Sequence, residues 1–151
     1  MKVHVESIFD CPPEMAWAEV QTPRLLLEVI RPLLRFVPPR GTQFPAIVKV
    51  GQTISARTYV LSFLPFGLHS IFVERVDSQQ REIQSRERDR WIRRWDHLIS
   101  VRETEDGRTR YSDEIEIQAG VLTLPVWLFA QVFYRHRQRR WRRVVQRLMG
   151  K

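Results

Sequence analysis

The chain begins with alternating apolar and polar residues and then changes to a helical pattern. Val3 and Val5 alternate with polar neighbours, which predicts a strand over residues 2–9. The segment Asp10-Cys11-Pro12-Pro13 ends this strand, and an aspartate with a proline two residues later is typical of a helix start. Two short helices are therefore predicted over 14–20 and 23–29, separated by a Thr-Pro pair.

The middle of the chain has the pattern of consecutive β-strands separated by turn-forming residues. We expect Pro-Phe-Gly at 65–67 and Asp-Gly at 106–107 to be two of these turns. A single long helix is predicted over 122–149. This order of elements indicates an α+β fold, with the whole chain, 1–151, as one domain. The further predicted strands are 33–37, 52–63, 68–77, 81–88, 91–103 and 109–119.

The long helix has one apolar face and one cationic face at 100° per residue. The apolar arc, which should cover the sheet, contains Val126, Ala130, Phe133, Tyr134, Trp141, Val144 and Leu148. The opposite side carries Arg135, Arg139, Arg142 and Arg143. Arg137 is the exception, because it lies close to the centre of the apolar arc and is expected to point inward.

Alternation in the last two predicted strands places two polar residues on the inward face. His97 belongs to an otherwise apolar odd-numbered set, and Asp113 belongs to the corresponding set of the next strand. Both sets share a face only if the connecting loop has an odd number of residues. A three-residue loop over 105–107, with Gly107 in the left-handed conformation, satisfies this condition. It pairs Ile99 with Asp113 and places His97 diagonal to Asp113.

Distances along the chain place the inward-pointing arginine near this pair. Asp113 lies roughly 23 Å before Gly120 along a strand. Arg137 lies roughly 25 Å after Gly120 along a helix. If the helix folds back over the strand, Asp113 and Arg137 meet inside, with His97 and Tyr111 beside them.

The charge of the chain is concentrated at its end. The net charge is +8, with 25 basic and 17 acidic residues. Glu116 is the last acidic residue, and the eight basic residues that follow it account for the whole excess. Such asymmetry indicates either an anionic partner or a solvated helix face. Because Trp141 is expected to point inward and no nucleic-acid motif is present, an anionic lipid surface is favoured over nucleic acid.

Several classes of protein are excluded by the sequence. Cys11 is the only cysteine, so neither a disulfide framework nor a cysteine zinc site exists. The four histidines have no metal-binding spacing, and no glycine-rich phosphate loop is present, so we expect neither a metal nor another cofactor. Residues 117–134 are uncharged, but a glycine and a proline mark a strand end and a helix start there, so we do not expect them to span a membrane. We expect a cytoplasmic location, with peripheral attachment at the inner membrane face as the alternative.

The segments Trp95-Asp-His97, Asp106-Gly107-Arg-Thr and Tyr111-Ser-Asp113, followed by a long closing helix, resemble the START-like (SRPBCC) superfamily. This resemblance implies a helix-grip fold, in which a curved seven-stranded antiparallel sheet wraps around the C-terminal helix. It also implies an internal cavity for a lipid, quinone, sterol-like molecule or polyketide. The expected ligand-binding residues are Trp95, His97, Tyr111, Asp113, Phe129, Phe133 and Arg137.

Several interpretations remain open at the sequence level. His97, Asp113 and Arg137 either hold a ligand's polar head or form a buried ion-pair network that only stabilises the fold. The aromatic residues either line a cavity or fill a core. We favour a carrier or sensor. A cyclase/dehydratase-like enzyme, with His97 and Asp113 as catalytic residues, is the first alternative, and a membrane- or nucleic-acid-binding basic helix is the second.

Overall fold

The computed structural model describes residues 1–150 of the chain. The strands are β1 (Lys2–Phe9), β2 (Leu34–Val37), β3 (Thr53–Val60), β4 (Leu64–Asp77), β5 (Glu82–Arg88), β6 (Arg94–Glu103) and β7 (Thr109–Gln118). The helices are α1 (Pro13–Val20), α2 (Pro23–Val29) and α3 (Thr123–Leu148), with one 3₁₀ turn at Gly120–Leu122 before α3.

All seven strands form one open antiparallel sheet in the order β1-β7-β6-β5-β4-β3-β2. From β2 onward each strand pairs with the next one in the chain, whereas β1 is placed beside β7 at the far edge. The α+β fold with seven antiparallel strands, two short helices after the first strand and one long C-terminal helix is therefore confirmed. The predicted ends of α3 lie within one residue of the observed ends.

The β6–β7 hairpin has the predicted register. The backbone amide of Thr104 donates to the carbonyl of Arg108 at 2.9 Å, which leaves residues 105–107 as the loop. Gly107 adopts φ +77°, the left-handed conformation that this loop needs. Ile99 pairs with Asp113 as a consequence.

The expected turn at 65–67 is wrong. The chain reverses instead at 61–63, and β4 already begins at Leu64. Residues 65–67 lie within β4 as a bulge, because Thr58 pairs with Gly67 and Tyr59 with Pro65, leaving Phe66 unpaired. The observed turn is stabilised by a residue distant in the sequence, because the Leu61 amide donates to the carbonyl of Leu33 at 2.8 Å. The local sequence around 61–63 gives no sign of this contact.

The two halves of helix α3 contact two different environments. Its C-terminal half packs into a filled core, where Trp141 meets Phe9 edge-on at 5.5 Å between ring centroids and Phe9 stacks on Tyr111. Its N-terminal half, up to Arg137, borders a cavity. Leu148, expected in the buried stripe, is 40% exposed because it is the last residue of α3, beyond the buried Val144 and Val145.

Within residues 1–150, no helix combines the length and the apolar character that a membrane crossing requires.

Candidate functional site

A cavity of about 620 Å³ lies between the sheet and the helices α2 and α3. Its volume falls within the usual range for small-molecule sites. Most of the wall is apolar, and polar groups are a minority in it. The apolar wall includes Leu26, Ile30, Phe36, Ile54, Ile71, Val73, Ile83, Trp95, Phe129 and Phe133.

The polar part of the wall belongs to a network in which acidic and basic side chains alternate across β4, β5, β6 and β7. Nδ1 of His69 lies 3.7 Å from Oδ2 of Asp89, and its Nε2 lies 2.9 Å from Oε2 of Glu87. Oε1 of Glu87 lies 3.5 Å from Nδ1 of His97. The Nε2 atom of His97 lies 2.8 Å from Oδ1 of Asp113. Both nitrogens of each imidazole thus face carboxylates.

Asp113 is the most completely satisfied group of the cluster. The Tyr111 hydroxyl donates to its Oδ1 at 3.1 Å, and the Gln138 amide donates to its Oδ2 at 2.9 Å. Nη1 of Arg137 lies 3.4 Å from Oδ1, and Nη2 of Arg137 donates to the Tyr111 hydroxyl at 3.1 Å. Four partners surround this fully buried carboxylate, which does not line the cavity, so Asp113 supports His97 and Arg137 from behind the wall.

Burial and hydrogen bonding act in opposite directions on the histidines. Burial lowers the pKa of His69, but its contacts with Asp89 and Glu87 outweigh burial and raise the pKa to about 9. Burial also lowers the pKa of His97, and the contacts with Asp113 and Glu87 again raise it above its usual value. The same contacts hold the pKa of Glu87 well below its usual range, although burial opposes them.

The charges of the cluster balance when both histidines are protonated. Burial raises the pKa of Asp113, but the charge of Arg137 and the contact with His97 leave it below the usual value. Three carboxylates (Asp89, Glu87, Asp113) then face three cations (His69, His97, Arg137). A network with no net charge can lie in a mainly apolar cavity wall, because each of its charges is compensated by a neighbour.

Three buried hydrogen-bond donors of cavity-lining residues have no acceptor within the described chain: Nε of Arg137, the hydroxyl of Tyr134 and, on β3, the hydroxyl of Thr58. The Nε atom of Arg137 is buried and unpaired. The Tyr134 hydroxyl accepts from Nε1 of Trp95 at 3.0 Å, and its own proton has no partner among residues 1–150. Burial raises the pKa of Tyr134 well above its usual value, so the hydroxyl keeps that proton. The guanidinium carbon of Arg137 lies 5.6 Å from the centre of the Tyr134 ring, so these two side chains are neighbours.

The sequence-predicted residues divide between the cavity and its support. Trp95, His97, Phe129, Phe133 and Arg137 line the cavity. Tyr111 and Asp113 do not line it, which corrects the expectation that they face a ligand. They lie behind His97 and Arg137, whose side chains contact them from the cavity side, and both are fully buried.

Four polar residues of this site were not found by sequence reasoning: His69, Glu87, Asp89 and Tyr134. The signal for Glu87 was present, because Ile83, Ser85 and Glu87 alternate on one face of β5. Ser85 pairs with His97 and Glu87 with Trp95, so the β5–β6 alignment makes Glu87 a diagonal neighbour of His97. Tyr134 was placed in the apolar stripe but not recognised as a donor to the cavity.

The cationic face of α3 lies where the helical phase placed it. Arg135, Arg139, Arg142 and Arg143 are all exposed. None of them takes part in an ion pair within the described chain, whereas Arg147 on the same helix pairs with Glu28 at 2.7 Å.

The fold and the site together define an α+β protein with a mainly apolar cavity between an antiparallel sheet and a long C-terminal helix. A family described as a domain of unknown function (DUF8410) matches residues 7–145, and the chain belongs to this family. No curated protein matches the chain in sequence.

Solved structures with the same fold come from several bacteria. Protein CV1439 from Chromobacterium violaceum has a TM-score of 0.73 at 12% identity, with 96% of each chain covered. Protein MLL2253 from Mesorhizobium loti has a TM-score of 0.73 at 16% identity, covering 97% of this chain and 98% of that one. Protein NE0264 from Nitrosomonas europaea has a TM-score of 0.73 at 12% identity, covering 100% and 97%. At these identities the similarity concerns the fold alone.

Proposed function

We propose that this protein binds one amphipathic small molecule in the internal cavity and serves as a carrier or sensor for it. The observation that carries the proposal is the combination of about 620 Å³ of mainly apolar space with unpaired donors on two neighbouring residues of its wall, Arg137 and Tyr134. A ligand's apolar body fits the first feature and an oxygen-bearing head fits the second.

The chemistry of the head group follows from the donors. Arg137 and Tyr134 both line the cavity and each has an unpaired donor, so we expect the head to present an acceptor such as a carbonyl, carboxylate or ether oxygen. Because the surrounding charges already balance, a neutral acceptor requires no further charge compensation. Membership of the START-like superfamily is part of this proposal, and a quinone, polyketide, sterol-like or lipid ligand meets the same requirements.

The first experiment is native mass spectrometry of the purified protein, with organic extraction of any bound molecule. We expect a mass above that of the bare chain and a compound with an apolar body and an oxygen head. An unliganded mass, together with no thermal stabilisation by a fatty acid, a quinone or a sterol, would contradict the proposal.

Two variants locate the binding site. Ala56 lines the cavity and is fully buried, so Ala56→Phe fills part of the space and should abolish binding. Its control is Arg57→Phe, because Arg57 is exposed on the opposite face of the same strand. Tyr134→Phe removes one donor without changing ring size, and we expect about a fivefold loss of affinity. Tyr59→Phe is the control, since Tyr59 does not line the cavity.

A cyclase/dehydratase-like enzyme is the second candidate, and one specific observation favours it. The hydroxyl of Tyr134, whose proton is unpaired, and the guanidinium of Arg137, whose carbon lies 5.6 Å from the centre of the Tyr134 ring, are two groups that could polarise a carbonyl bound against both. His97 and Asp113, our expected catalytic pair, then act by positioning Arg137. In a carrier, His97→Gln should lower affinity modestly. In an enzyme the same variant should retain binding and lose turnover.

A further inference from the structure

The outer face of α3 carries an exposed apolar segment that continues directly into its cationic segment. Leu124, Leu128 and Val132 are 55%, 53% and 64% exposed. At 100° per residue these three and the four arginines at 135, 139, 142 and 143 fall within one arc of about 100°. The first part of this surface is apolar over roughly 12 Å and the second part is cationic over a similar length.

Large exposed apolar side chains in adjacent turns of one helix are uncommon on a free protein surface. The apolar segment is also connected to the cavity. Phe129 follows Leu128, is 37% exposed, and contributes to the cavity wall. A surface that is apolar beside a cavity and cationic beyond it requires a partner with both apolar and anionic groups.

The charge pattern selects among the partners. A second copy packed through this face offers the arginines no anion, because no Asp or Glu occurs after Glu116. The interface of an anionic bilayer offers acyl chains and phosphate groups side by side, which matches the two parts of the surface. We infer that α3 rests on an anionic membrane through this face, with Leu124, Leu128 and Val132 at the acyl boundary and the four arginines on the headgroups.

The test is co-sedimentation of the protein with phosphatidylcholine vesicles and with vesicles that also contain phosphatidylglycerol. We expect binding only to the anionic vesicles, weakening as salt is added. Arg139→Gln combined with Arg142→Gln should reduce partitioning by roughly 25-fold, about fivefold for each charge. The control is Arg40→Gln combined with Arg57→Gln, which removes the same charge from exposed positions outside α3.

The apolar part is tested by Leu128→Ser, which should reduce binding severalfold. Ile47→Ser is the matched control, because Ile47 is also 53% exposed but lies in the loop before β3. The three substituted positions of α3 and the three control positions are all exposed, so unfolding transitions should stay as in the unmodified protein.

Three outcomes would overturn the inference. They are equal binding to both kinds of vesicle, equal losses in the test and control variants, and a dimer in solution that Leu128→Ser disrupts. Vesicle binding is independent of the proposed ligand function: the α3 variants should retain any co-purifying ligand, while Ala56→Phe should lose the ligand and still bind vesicles.

Discussion

The Nε2 atom of His97 lies 2.8 Å from Oδ1 of Asp113, although the two residues are not paired opposite each other in the sheet. Asp113 pairs with Ile99, and His97 pairs with Ile115, so the contact is a diagonal one between β6 and β7. It links the histidine of the cavity wall to a carboxylate that lies behind the wall. The strength of this support determines how rigidly Arg137 and His97 are held.

Removing the charge of Asp113 should strongly destabilise the fold. Asp113→Asn leaves the buried Arg137 guanidinium without its closest carboxylate, and breaking a buried pair from one side costs about 3–5 kcal/mol. Urea unfolding measures the change in free energy of unfolding. The control is Glu114→Gln on the exposed face of the same strand, which we expect to change stability by about 0.5 kcal/mol or less.

Replacing both partners separates ion pairing from general damage. The double variant Asp113→Leu with Arg137→Met removes both charges of the pair, so neither is left uncompensated. Its loss in free energy of unfolding should therefore be smaller than the sum of the losses in the two single variants. Strict additivity would show that the two residues do not depend on each other.

Stability should fall as the pH rises from neutral to alkaline values. The pKa of His69 is about 9 in the folded chain against an ordinary value of 6.5. A group whose pKa is raised by folding stabilises the folded protein fully at pH values below its unfolded pKa. This stabilisation is lost as the pH rises through the pKa of the folded state. Between these two pH values the free energy of unfolding should fall by about 3 kcal/mol. This figure includes the loss of the attraction between protonated His69 and Glu87. The raised pKa of His97 acts in the same direction.

The measurement is the free energy of unfolding in urea across this pH interval, for the unmodified protein and for His69→Gln. We expect the variant to have a flatter profile. His4→Gln removes a half-exposed histidine from β1 and should leave the steep profile in place. A profile for His69→Gln as steep as that of the unmodified protein would show that other groups cause the dependence.

The β6–β7 loop should be sensitive to substitution at one position. Gly107 has φ +77°, so Gly107→Ala forces a side chain into the left-handed region at a cost of about 1–2 kcal/mol. Because no atom lies within 4 Å of an added Cβ, the cost is conformational rather than steric. Gly107→Asn should cost less, since asparagine tolerates this conformation. Thermal unfolding of the two variants gives the comparison, and equal losses would contradict the conformational explanation.

The thiol of Cys11 should be protected in the folded protein. Burial raises the pKa of Cys11, and its sulfur lies 3.7 Å from the hydroxyl oxygen of Thr109. We expect its reaction with a thiol-specific reagent to be roughly tenfold or more slower in the native state than in urea. Rapid native labelling would show that the segment around Cys11 opens frequently.

Much of the site could be predicted from local periodicity. Strand alternation indicated that His97 and Asp113 point inward, loop length set their register, and helical phase turned Arg137 toward them. These inferences succeeded because β6, β7 and α3 are regular. In a regular strand or helix the direction of each side chain follows from a fixed period over many residues.

The rest depended on irregular or distant features. The bulge at Phe66 and the turn at 61–63 shift β4 relative to the expected strand, and a further register irregularity lies between Val73 and Arg75. Alternation counted across these irregularities loses its phase, whereas in the regular stretch between them His69 shares a face with the buried Ile71 and Val73. His69 and Asp89, which complete the polar chain with Glu87, lie at this side of the sheet and were missed.

The sequence by itself therefore determined the helices and most of the strands, the β6–β7 register and the inward position of three polar residues, because each follows from contacts between near neighbours. The place of β1 beside β7 joins residues 100 or more positions apart and was decided only by the tertiary structure. Only the tertiary structure decided that the space under α3 is filled around Trp141 and open beside Phe133. Whether that space is filled depends on the distance between α3 and the sheet. This distance is determined by the combined packing of residues that are far apart in the sequence.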